Sequence, residues 1–335
     1  MVVGVTGASG HVGNVLCRRL LEKGFQVKAM YHSDRSALMD LERNSSITII
    51  QGSTLNLQDL ENFIQDCDII INSAAIISIL GDPTGIVFRT NTEGPRNLVQ
   101  ACVKVSKNTG KNKKIKVIHI SSTHAVYELP HETPYDENRP YKQKGAFAYD
   151  YSKATGEQII LDAIQKGFIE GCILRPSSVI GPYDFKPSEI GKALKDFYNQ
   201  KIPLLPSGGY NFVDVRDVAH TIISAMDKGQ NGEIYLISGE YFSLKKFVEI
   251  IHKVTGKKMP FIVMPFLFLR LILPFVKLYS LIRHAAPVFT IEAITALKAG
   301  HPNMIHQKAR EVLGHHCRPL EESIRDFYEW NQKRK

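Results

Sequence analysis

The chain has 335 residues, a net charge of +9 and a hydrophobic content of 44%. This content, with 22% charged residues, is ordinary for a globular protein and excludes disordered and fibrous classes. The basic residues are densest at 107–116 and at the C-terminal end, and no aromatic residues lie among them. Grooves for single-stranded nucleic acid need aromatic stacking platforms. We therefore expect no nucleic-acid partner.

The cysteines and the apolar segments bear on compartment and membrane contact. None of the five cysteines forms a CxxC pair, so we expect neither a disulfide framework nor a metal site. We therefore expect a cytoplasmic protein, since that compartment keeps thiols reduced. The first residues lack the basic region of a signal peptide. The most apolar segment is 259–283, whose longest charge-free stretch, 259–269, is shorter than the about 20 residues of a membrane span. We predict no transmembrane helix and keep peripheral membrane contact through 259–283 as an alternative.

In chain order, the first half alternates strand and helix patterns. Continuous apolar runs predict strands at 2–6, 26–31, 47–52, 68–75, 116–122 and 170–179. Apolar residues at helical spacing predict helices at 11–24, 57–67, 90–105 and 149–167. Strand–helix repetition with short connections predicts an α/β fold of Rossmann type, with a doubly wound parallel sheet.

The pattern changes after residue 180. Prolines and glycines cluster from 181 to 209, a strand pattern returns at 232–238, and helical patterns dominate from 244 onward. We predict a dinucleotide-binding domain over 1–179, with 210–238 returning to it. A smaller, mostly helical substrate-binding domain would then combine 180–209 and 239–335.

A glycine turn joins the first strand to the first helix. Gly7 permits a tight turn, Gly10 lets the backbone approach a pyrophosphate, and Gly13 lets the helix pack closely on the strand. The free N–H groups of the helix N-terminus favour phosphate binding. The cofactor residues predicted in this turn are Gly7, Ser9, Gly10, His11, Val12 and Gly13.

The end of the second strand predicts the choice of cofactor. An acidic residue there accepts a hydrogen bond from the ribose of NAD, whereas a basic residue accommodates the 2′-phosphate of NADP. Tyr31 occupies the acidic place, Asp34 comes later, and His32 and Arg35 could meet a phosphate. The sequence therefore favours NADP over NAD.

Two tyrosines and a lysine lie close together in the fourth predicted helix. Residues four apart share a helix face and residues two apart do not, so Tyr149 faces Lys153 and Tyr151 points away. We expect the Lys153 ammonium to lower the pKa of Tyr149 and make it a general acid or base. Three hydroxyl residues end the preceding strand, and one of them could orient a substrate carbonyl: Ser121, Ser122 and Thr123.

The GxxGxxG turn, the hydroxyl-bearing strand end and the YxxxK motif, in that order, resemble the extended short-chain dehydrogenase/reductases, the NAD-dependent epimerase/dehydratase family. This resemblance implies a catalytic group of Thr123, Tyr149 and Lys153, with Ser122 as the second hydroxyl. It also implies further cofactor contacts at Ser53, Thr54, Ala74, Ala75, Asn91, Ser121, Tyr149, Lys153, Pro176, Ser178 and Val179. Ser53 and Thr54 depart from the family's usual Asp–Leu pair, which implies that the adenine contact is weakened or remade.

Three functions remain open at this stage. The resemblance is greatest to dihydroflavonol reductase-like and 3β-hydroxysteroid dehydrogenase-like members, which implies hydride transfer between the nicotinamide and a ketone, aldehyde or alcohol. An apolar segment at 260–282 suits a largely apolar substrate. The alternative is a nucleotide-sugar epimerase or dehydratase with tightly held NAD, which the net positive charge favours. A non-catalytic NADP-binding regulator is the third alternative, and a homodimer is compatible with the sequence.

Overall fold

A computed structural model describes residues 1–108, 114–258, 260, 262–265, 268, 295, 297, 300–334. The first half forms β1 (Val2–Thr6), α1 (His11–Glu22), β2 (Gln26–Tyr31), β3 (Ile47–Gln51), α2 (Leu57–Ile64), β4 (Ile69–Asn72), α3 (Ile86–Asn108), β5 (Lys116–Ile120), α4 (Ala148–Gln165) and β6 (Glu170–Pro176). The second half forms β7 (Ser178–Ile180), α5 (Glu189–Tyr198), β8 (Leu205–Pro206), β9 (Gly209–Asp214), α6 (Val215–Lys228), β10 (Ile234–Ile237), β11 (Tyr241–Ser243), α7 (Leu244–Thr255), β12 (Val263–Met264), α8 (Gln307–Leu313) and α9 (Leu320–Lys333).

A seven-stranded parallel sheet in the order β10-β6-β5-β4-β1-β2-β3 forms the centre of the fold. The α/β fold predicted from the sequence is therefore confirmed. The strand order reverses at β1, which pairs with β2 on one side and with β4 on the other. In such sheets, ligands bind at this reversal, beyond the carboxyl ends of the strands.

Both faces of the sheet are covered because successive strand residues point to opposite sides. Ile69 and Ile71 belong to a buried cluster with residues of α1, α6 and α8, whereas Ile70 belongs to a second cluster with residues of α2, α3 and α4. This double burial explains why the strands are continuously apolar. Among the described helices, four begin at side-chain caps, which are Asn56 for α2, Ser188 for α5, Asp214 for α6 and Ser243 for α7.

The predicted strand at 170–179 divides into two strands in different sheets. Pro176 pairs with Ile237 of the main sheet, whereas Ser178 pairs with Phe212 of a three-stranded sheet in the order β11-β9-β7. Residues of α5, α7 and α9 form a third buried cluster with this small sheet. Thus β10 returns to the main sheet while β9 builds the second one.

Two predictions about membranes concern a transmembrane helix and the apolar segment 259–283. The described residues test the first of them. Among them, no helix combines the length and apolar character that a membrane crossing requires. Most of 259–283, which carries the alternative of peripheral membrane contact, lies outside the described residues.

Candidate active site

The glycine turn lies at the carboxyl end of β1. Gly7 has a φ of +66°, a conformation that favours glycine. Its carbonyl accepts a hydrogen bond from the Gly10 N–H at 2.9 Å. A Cβ at Gly13 would lie 2.3 Å from the Gly7 carbonyl oxygen, so only glycine lets α1 approach the strand this closely. A Cβ at Gly7 would lie 2.7 Å from Cα of Ala74, which places the loop after β4 against the turn.

The N-terminus of α1 is open to an anion. No side chain caps it, and its first turn carries no acidic residue. The first N–H groups of a helix have no partner within the helix, which leaves His11, Val12 and Gly13 able to donate to a phosphate. The His11 side chain turns elsewhere, since its Nε2 lies 2.9 Å from the Pro182 carbonyl oxygen. The backbone N–H groups, and not this imidazole, are thus placed to meet a phosphate.

A buried hydrogen-bond network holds the neighbouring strand ends together. The Thr6 hydroxyl donates to Asn72 Oδ1 at 2.7 Å, and Asn72 Nδ2 lies 3.0 Å from Nδ1 of His119. Burial, and then the charge of Lys153, hold the pKa of His119 well below its usual range. A neutral His119 can accept the Asn72 hydrogen bond, and the network fixes the ends of β1, β4 and β5. His119 was not among the residues predicted for the site, because it lies within an apolar strand.

The end of β2 carries the residues predicted to meet a 2′-phosphate. His32 and Arg35 are both exposed, and Arg35 Nη1 lies 3.2 Å from Oε1 of Glu42. Asp34 accepts a hydrogen bond from the Ser36 N–H at 2.8 Å, and Ser36 and Lys186 hold its pKa low. This carboxylate is thus engaged within its own loop, and two exposed basic residues remain at the strand end.

Ser53, Thr54 and Asn91, which are predicted to contact the cofactor, each have hydrogen-bond partners in the structure. The Ser53 N–H donates to Asp59, and Thr54 is buried with its carbonyl accepting from Asn97. Asn91 bridges two segments: its Oδ1 accepts from the Ile76 N–H at 2.9 Å, and its Nδ2 donates to Ser152 on α4 at 2.9 Å. Asn91 therefore fixes the loop after β4 to the helix that carries Tyr149.

Tyr149 and Lys153 lie on one face of α4, at the end of β5. Burial raises the pKa of Tyr149 to about 12, although a hydrogen bond with the Ser122 side chain opposes this shift. Lys153 Nζ donates to the Ile120 carbonyl oxygen at 2.8 Å. Burial lowers the pKa of Lys153 to about 8, partly offset by the charge of Glu157. The expectation that Lys153 lowers the pKa of Tyr149 is therefore wrong for this structure, since burial dominates and the ammonium binds a backbone carbonyl.

The three hydroxyl residues after β5 have different surroundings. Ser122 hydrogen-bonds Tyr149, and its Oγ also accepts from the His124 N–H at 3.1 Å. Thr123 faces a small cavity that Ser178 also lines, and its carbonyl accepts from the Tyr135 hydroxyl. The Ser121 hydroxyl is buried and, within the described part of the chain, has no hydrogen-bond partner. This unpaired group follows β5 at the same edge of the sheet as the glycine turn after β1, and it fits a bound dinucleotide.

Tyr151 lies away from this group, as the helical spacing predicted. Its ring stacks on Phe88 of α3 with a centroid distance of 5.4 Å. Pro176 and Val179 flank the junction between β6 and β7, where Arg175 is buried in an ion pair with Glu157 of α4 at 2.6 Å. This ion pair ties the strand end to the helix that carries Tyr149 and Lys153.

A charged cluster that the sequence analysis missed borders Tyr149. His124 Nδ1 lies 3.2 Å from Asp150 and 3.8 Å from Glu128, and its ring centroid lies 5.8 Å from that of Tyr149. His124, Glu128 and Asp150 could in principle ligate a metal. However, Lys142 Nζ contacts Glu128 at 2.7 Å and Asp150 at 2.5 Å, so an ammonium already pairs with both carboxylates. The signal available in the sequence was that His124 and Asp150 directly follow the predicted catalytic residues Thr123 and Tyr149.

Comparison with known proteins places this site in a family. The model of the NAD dependent epimerase/dehydratase family matches residues 3–238, which span the sheet, the glycine turn and the Tyr149 helix. The chain belongs to this family. Its members depend on a nicotinamide dinucleotide, and they are dehydrogenases and reductases or epimerases.

Two curated relatives cover most of the chain. Sterol demethylase protein B of Methylococcus capsulatus is 29% identical over 264 residues, covering 78% of this chain and 76% of the relative. A putative dihydroflavonol 4-reductase of Synechocystis is 30% identical over 261 residues, covering 76% and 73%.

Two solved structures superpose along nearly the whole chain. The crystal structure of gox2253 matches with a TM-score of 0.83 and 26% identity, covering 99% of this chain and 98% of that one. UDP-glucuronic acid 4-epimerase from Bacillus cereus, in complex with UDP-glucuronic acid and NAD, matches with a TM-score of 0.78 and 21% identity, covering 100% of each chain. At that identity the second likeness shows the fold alone.

Proposed function

We propose that the protein is an NAD(P)H-dependent oxidoreductase that exchanges hydride between the nicotinamide and the carbonyl carbon of a ketone or aldehyde. The observation that carries this proposal is the placement of Tyr149 beside Ser122 at the end of β5, with Lys153 one turn along the same helix. A phenol, a hydroxyl and an ammonium are the groups that carbonyl reduction needs to protonate and polarise an oxygen.

The residues for the cofactor are the glycine turn, the open N-terminus of α1 and the unpaired Ser121 hydroxyl. A bound nicotinamide dinucleotide would supply the hydride. Two exposed basic residues, His32 and Arg35, and a β2 end without a free carboxylate favour NADP over NAD. Within the described residues, the Arg35 side chain has one exposed ion pair, with Glu42, to exchange for a phosphate, and such pairs contribute little free energy.

Tyr149 acts as the proton donor during reduction. Its raised pKa, about 12, keeps the phenol protonated at neutral pH, so a proton is in place when the carbonyl oxygen gains negative charge. Ser122 hydrogen-bonds the same phenol and can orient the carbonyl oxygen. Lys153, with a pKa of about 8 and its Nζ on the Ile120 carbonyl, holds a positive charge at the base of the site for most of its population at pH 7.

The substrate we propose is a carbonyl compound on a largely apolar framework. The names of the relatives, a sterol demethylase protein and a putative dihydroflavonol reductase, support a polycyclic or aromatic framework. The alternative is a nucleotide-sugar epimerase, which the net charge of +9 and the likeness to UDP-sugar epimerase folds favour. An epimerase returns the hydride to its own substrate, so it consumes no cofactor.

The test is a screen of NADPH and NADH oxidation over steroid ketones, flavanones, aldehydes and UDP-sugars. We expect steady cofactor oxidation with an apolar ketone, and loss of turnover in Tyr149→Phe with cofactor binding retained. Tyr151→Phe is the matched control, since it removes a hydroxyl two residues away on the same helix, where the ring stacks on Phe88. Interconversion of a UDP-sugar without net cofactor oxidation would establish the epimerase alternative.

A further inference from the structure

A loop from a distant part of the chain contacts the first turns of α1. This crossing loop, residues 181–188, joins β7 to α5. Asn14 is buried in α1, and its Nδ2 donates to the Tyr183 carbonyl oxygen at 2.9 Å. His11 Nε2 lies 2.9 Å from the Pro182 carbonyl oxygen. The crossing loop is therefore held against the helix whose N-terminus is open to a phosphate.

Side chains fix the crossing loop in this position. Arg18 of α1 lies over two of its rings, with the guanidinium carbon 4.6 Å from the Tyr183 centroid and 5.7 Å from that of Phe185. Asp184 is buried, and its carboxylate accepts hydrogen bonds from the N–H and the hydroxyl of Ser188 at 2.9 and 2.8 Å. These contacts lie on both sides of the one lysine in the loop, so its backbone has a defined place.

That lysine, Lys186, reaches the loop that follows β2. Its Nζ lies 3.5 Å from Oδ2 of Asp34, which also accepts a hydrogen bond from the Ser36 N–H at 2.8 Å. The Lys186 and Asp34 side chains are 47% and 45% exposed, and such an exposed pair contributes little to stability. Arg35 directly follows Asp34 in the chain. Lys186 therefore brings a third basic side chain to the segment that carries His32 and Arg35.

Two physical arguments connect Lys186 with a 2′-phosphate. An ammonium is a compact positive charge with three N–H donors, which suits a phosphate group. Asp34 is the one acidic residue in 31–36, and a carboxylate at the end of this strand favours a free ribose hydroxyl and repels a 2′-phosphate. Because Lys186 pairs with that carboxylate, the same ammonium opposes the choice of NAD and supports the choice of NADP.

We propose that Lys186 determines cofactor specificity by binding the 2′-phosphate of NADP from the crossing loop, beside Arg35. In the absence of cofactor the ammonium pairs with Asp34, and on binding it also meets the phosphate. This inference rests on the proposed NAD(P)H-dependent function. It adds to that function a residue, supplied from beyond β7, that distinguishes the two cofactors.

The test uses adenosine 2′,5′-bisphosphate and adenosine 5′-monophosphate, which differ only in the 2′-phosphate, in isothermal titration calorimetry. We expect the wild-type protein to bind the bisphosphate more tightly. Lys186→Ala should raise the Kd for the bisphosphate about fivefold and leave that for the monophosphate nearly unchanged. Lys186→Arg keeps the charge and should retain the preference. Lys192→Ala is the matched control, since Lys192 is 57% exposed on α5 and pairs with Glu189, and it should leave both Kd values unchanged.

The outcomes separate failure of this inference from failure of the proposed function. A preference for the bisphosphate that is equal in the wild type and in Lys186→Ala overturns the role of Lys186 and leaves the NADP preference standing. An equal rise of both Kd values in Lys186→Ala overturns that role as well, because it indicates a structural contribution to the site. Equal binding of both ligands by the wild type overturns the NADP preference together with the role of Lys186. Since the titrations need no carbonyl compound, a selective loss in Lys186→Ala supports the inference even if no ketone is reduced.

Discussion

The ion pair between Glu157 and Arg175 lies under the proposed site, and replacing Glu157 with Gln tests how strongly it holds that site together. The two side chains are 0% and 1% exposed, and Oε1 lies 2.6 Å from Nη2. Arg175 Nε also lies 3.1 Å from both carboxylate oxygens, and the Tyr141 hydroxyl donates to Oε1 at 2.8 Å. The variant keeps the size of the side chain and removes its charge, so the guanidinium stays buried without a counterion.

The expected loss follows from that burial. Removing one partner of a buried ion pair costs about 3–5 kcal/mol of unfolding free energy, mainly because the remaining charge is uncompensated. Treated as one cooperative unit at about 2.1 cal/mol/K per residue, the 335-residue chain has an unfolding entropy of about 0.7 kcal/mol/K. The two estimates give a fall in Tm of about 4–7 °C.

Glu22→Gln is the matched control. Glu22 pairs with Arg19 at the same distance, 2.6 Å, but those side chains are 58% and 42% exposed. An exposed pair contributes at most about 1 kcal/mol, so Tm should change by about 1 °C or less. Differential scanning calorimetry on the three proteins measures both shifts. Equal shifts in the two variants would refute the argument that burial, and not ion-pair distance, sets the contribution of this pair.

Three further predictions concern the cofactor turn, the pH dependence and the cofactor choice. Gly13→Ala should lower the unfolding free energy, measured by denaturant titration, by about 1–3 kcal/mol and weaken cofactor binding, because the new Cβ would lie 2.3 Å from the Gly7 carbonyl oxygen. Gly10→Ala, whose Cβ would have its nearest contact at 3.2 Å, should lower the unfolding free energy less. His315 is buried, and burial lowers its pKa to about 4. As pH falls, the imidazole is therefore protonated in the unfolded chain before it is protonated in the folded protein, and the unfolding free energy should fall by about 3 kcal/mol between pH 6.5 and 4. In His315→Gln, the unfolding free energy should depend less steeply on pH. Arg35→Ala should raise the Kd for NADPH about tenfold and leave that for NADH nearly unchanged, measured by nicotinamide fluorescence; an equal change for both would remove Arg35 from the 2′-phosphate site.

The main sheet could be predicted because its signals are local. Each strand is a continuous apolar run, and each helix has apolar residues on one side, so the order of elements was evident from the sequence. The break between β6 and β7 was not, since 170–179 has the pattern of a single strand. That break arises because Pro176 pairs with Ile237 while Ser178 pairs with Phe212, and both partners are distant in sequence.

In the candidate site, the positions of the side chains on the helix could be predicted, but their pKa values could not. The four-residue spacing of Tyr149 and Lys153 fixes their common helix face, and Tyr151 points to Phe88 as that spacing requires. The electrostatic consequence was not predictable from spacing, since Lys153 Nζ binds the Ile120 carbonyl and burial sets the pKa of Tyr149. The cluster around His124 depends on Lys142, which reaches Asp150 from an irregular segment between β5 and α4.

The most direct measurement of the proposed function follows the hydride itself. NADPH carrying deuterium at both C4 positions is incubated with the protein and the best ketone from the screen, and the product is analysed by mass spectrometry. We predict one deuterium on the carbinol carbon, one NADP⁺ formed for each alcohol, and neither product in Tyr149→Phe. Product formed without deuterium, or deuterium retained on a cofactor that is not consumed, would contradict this prediction.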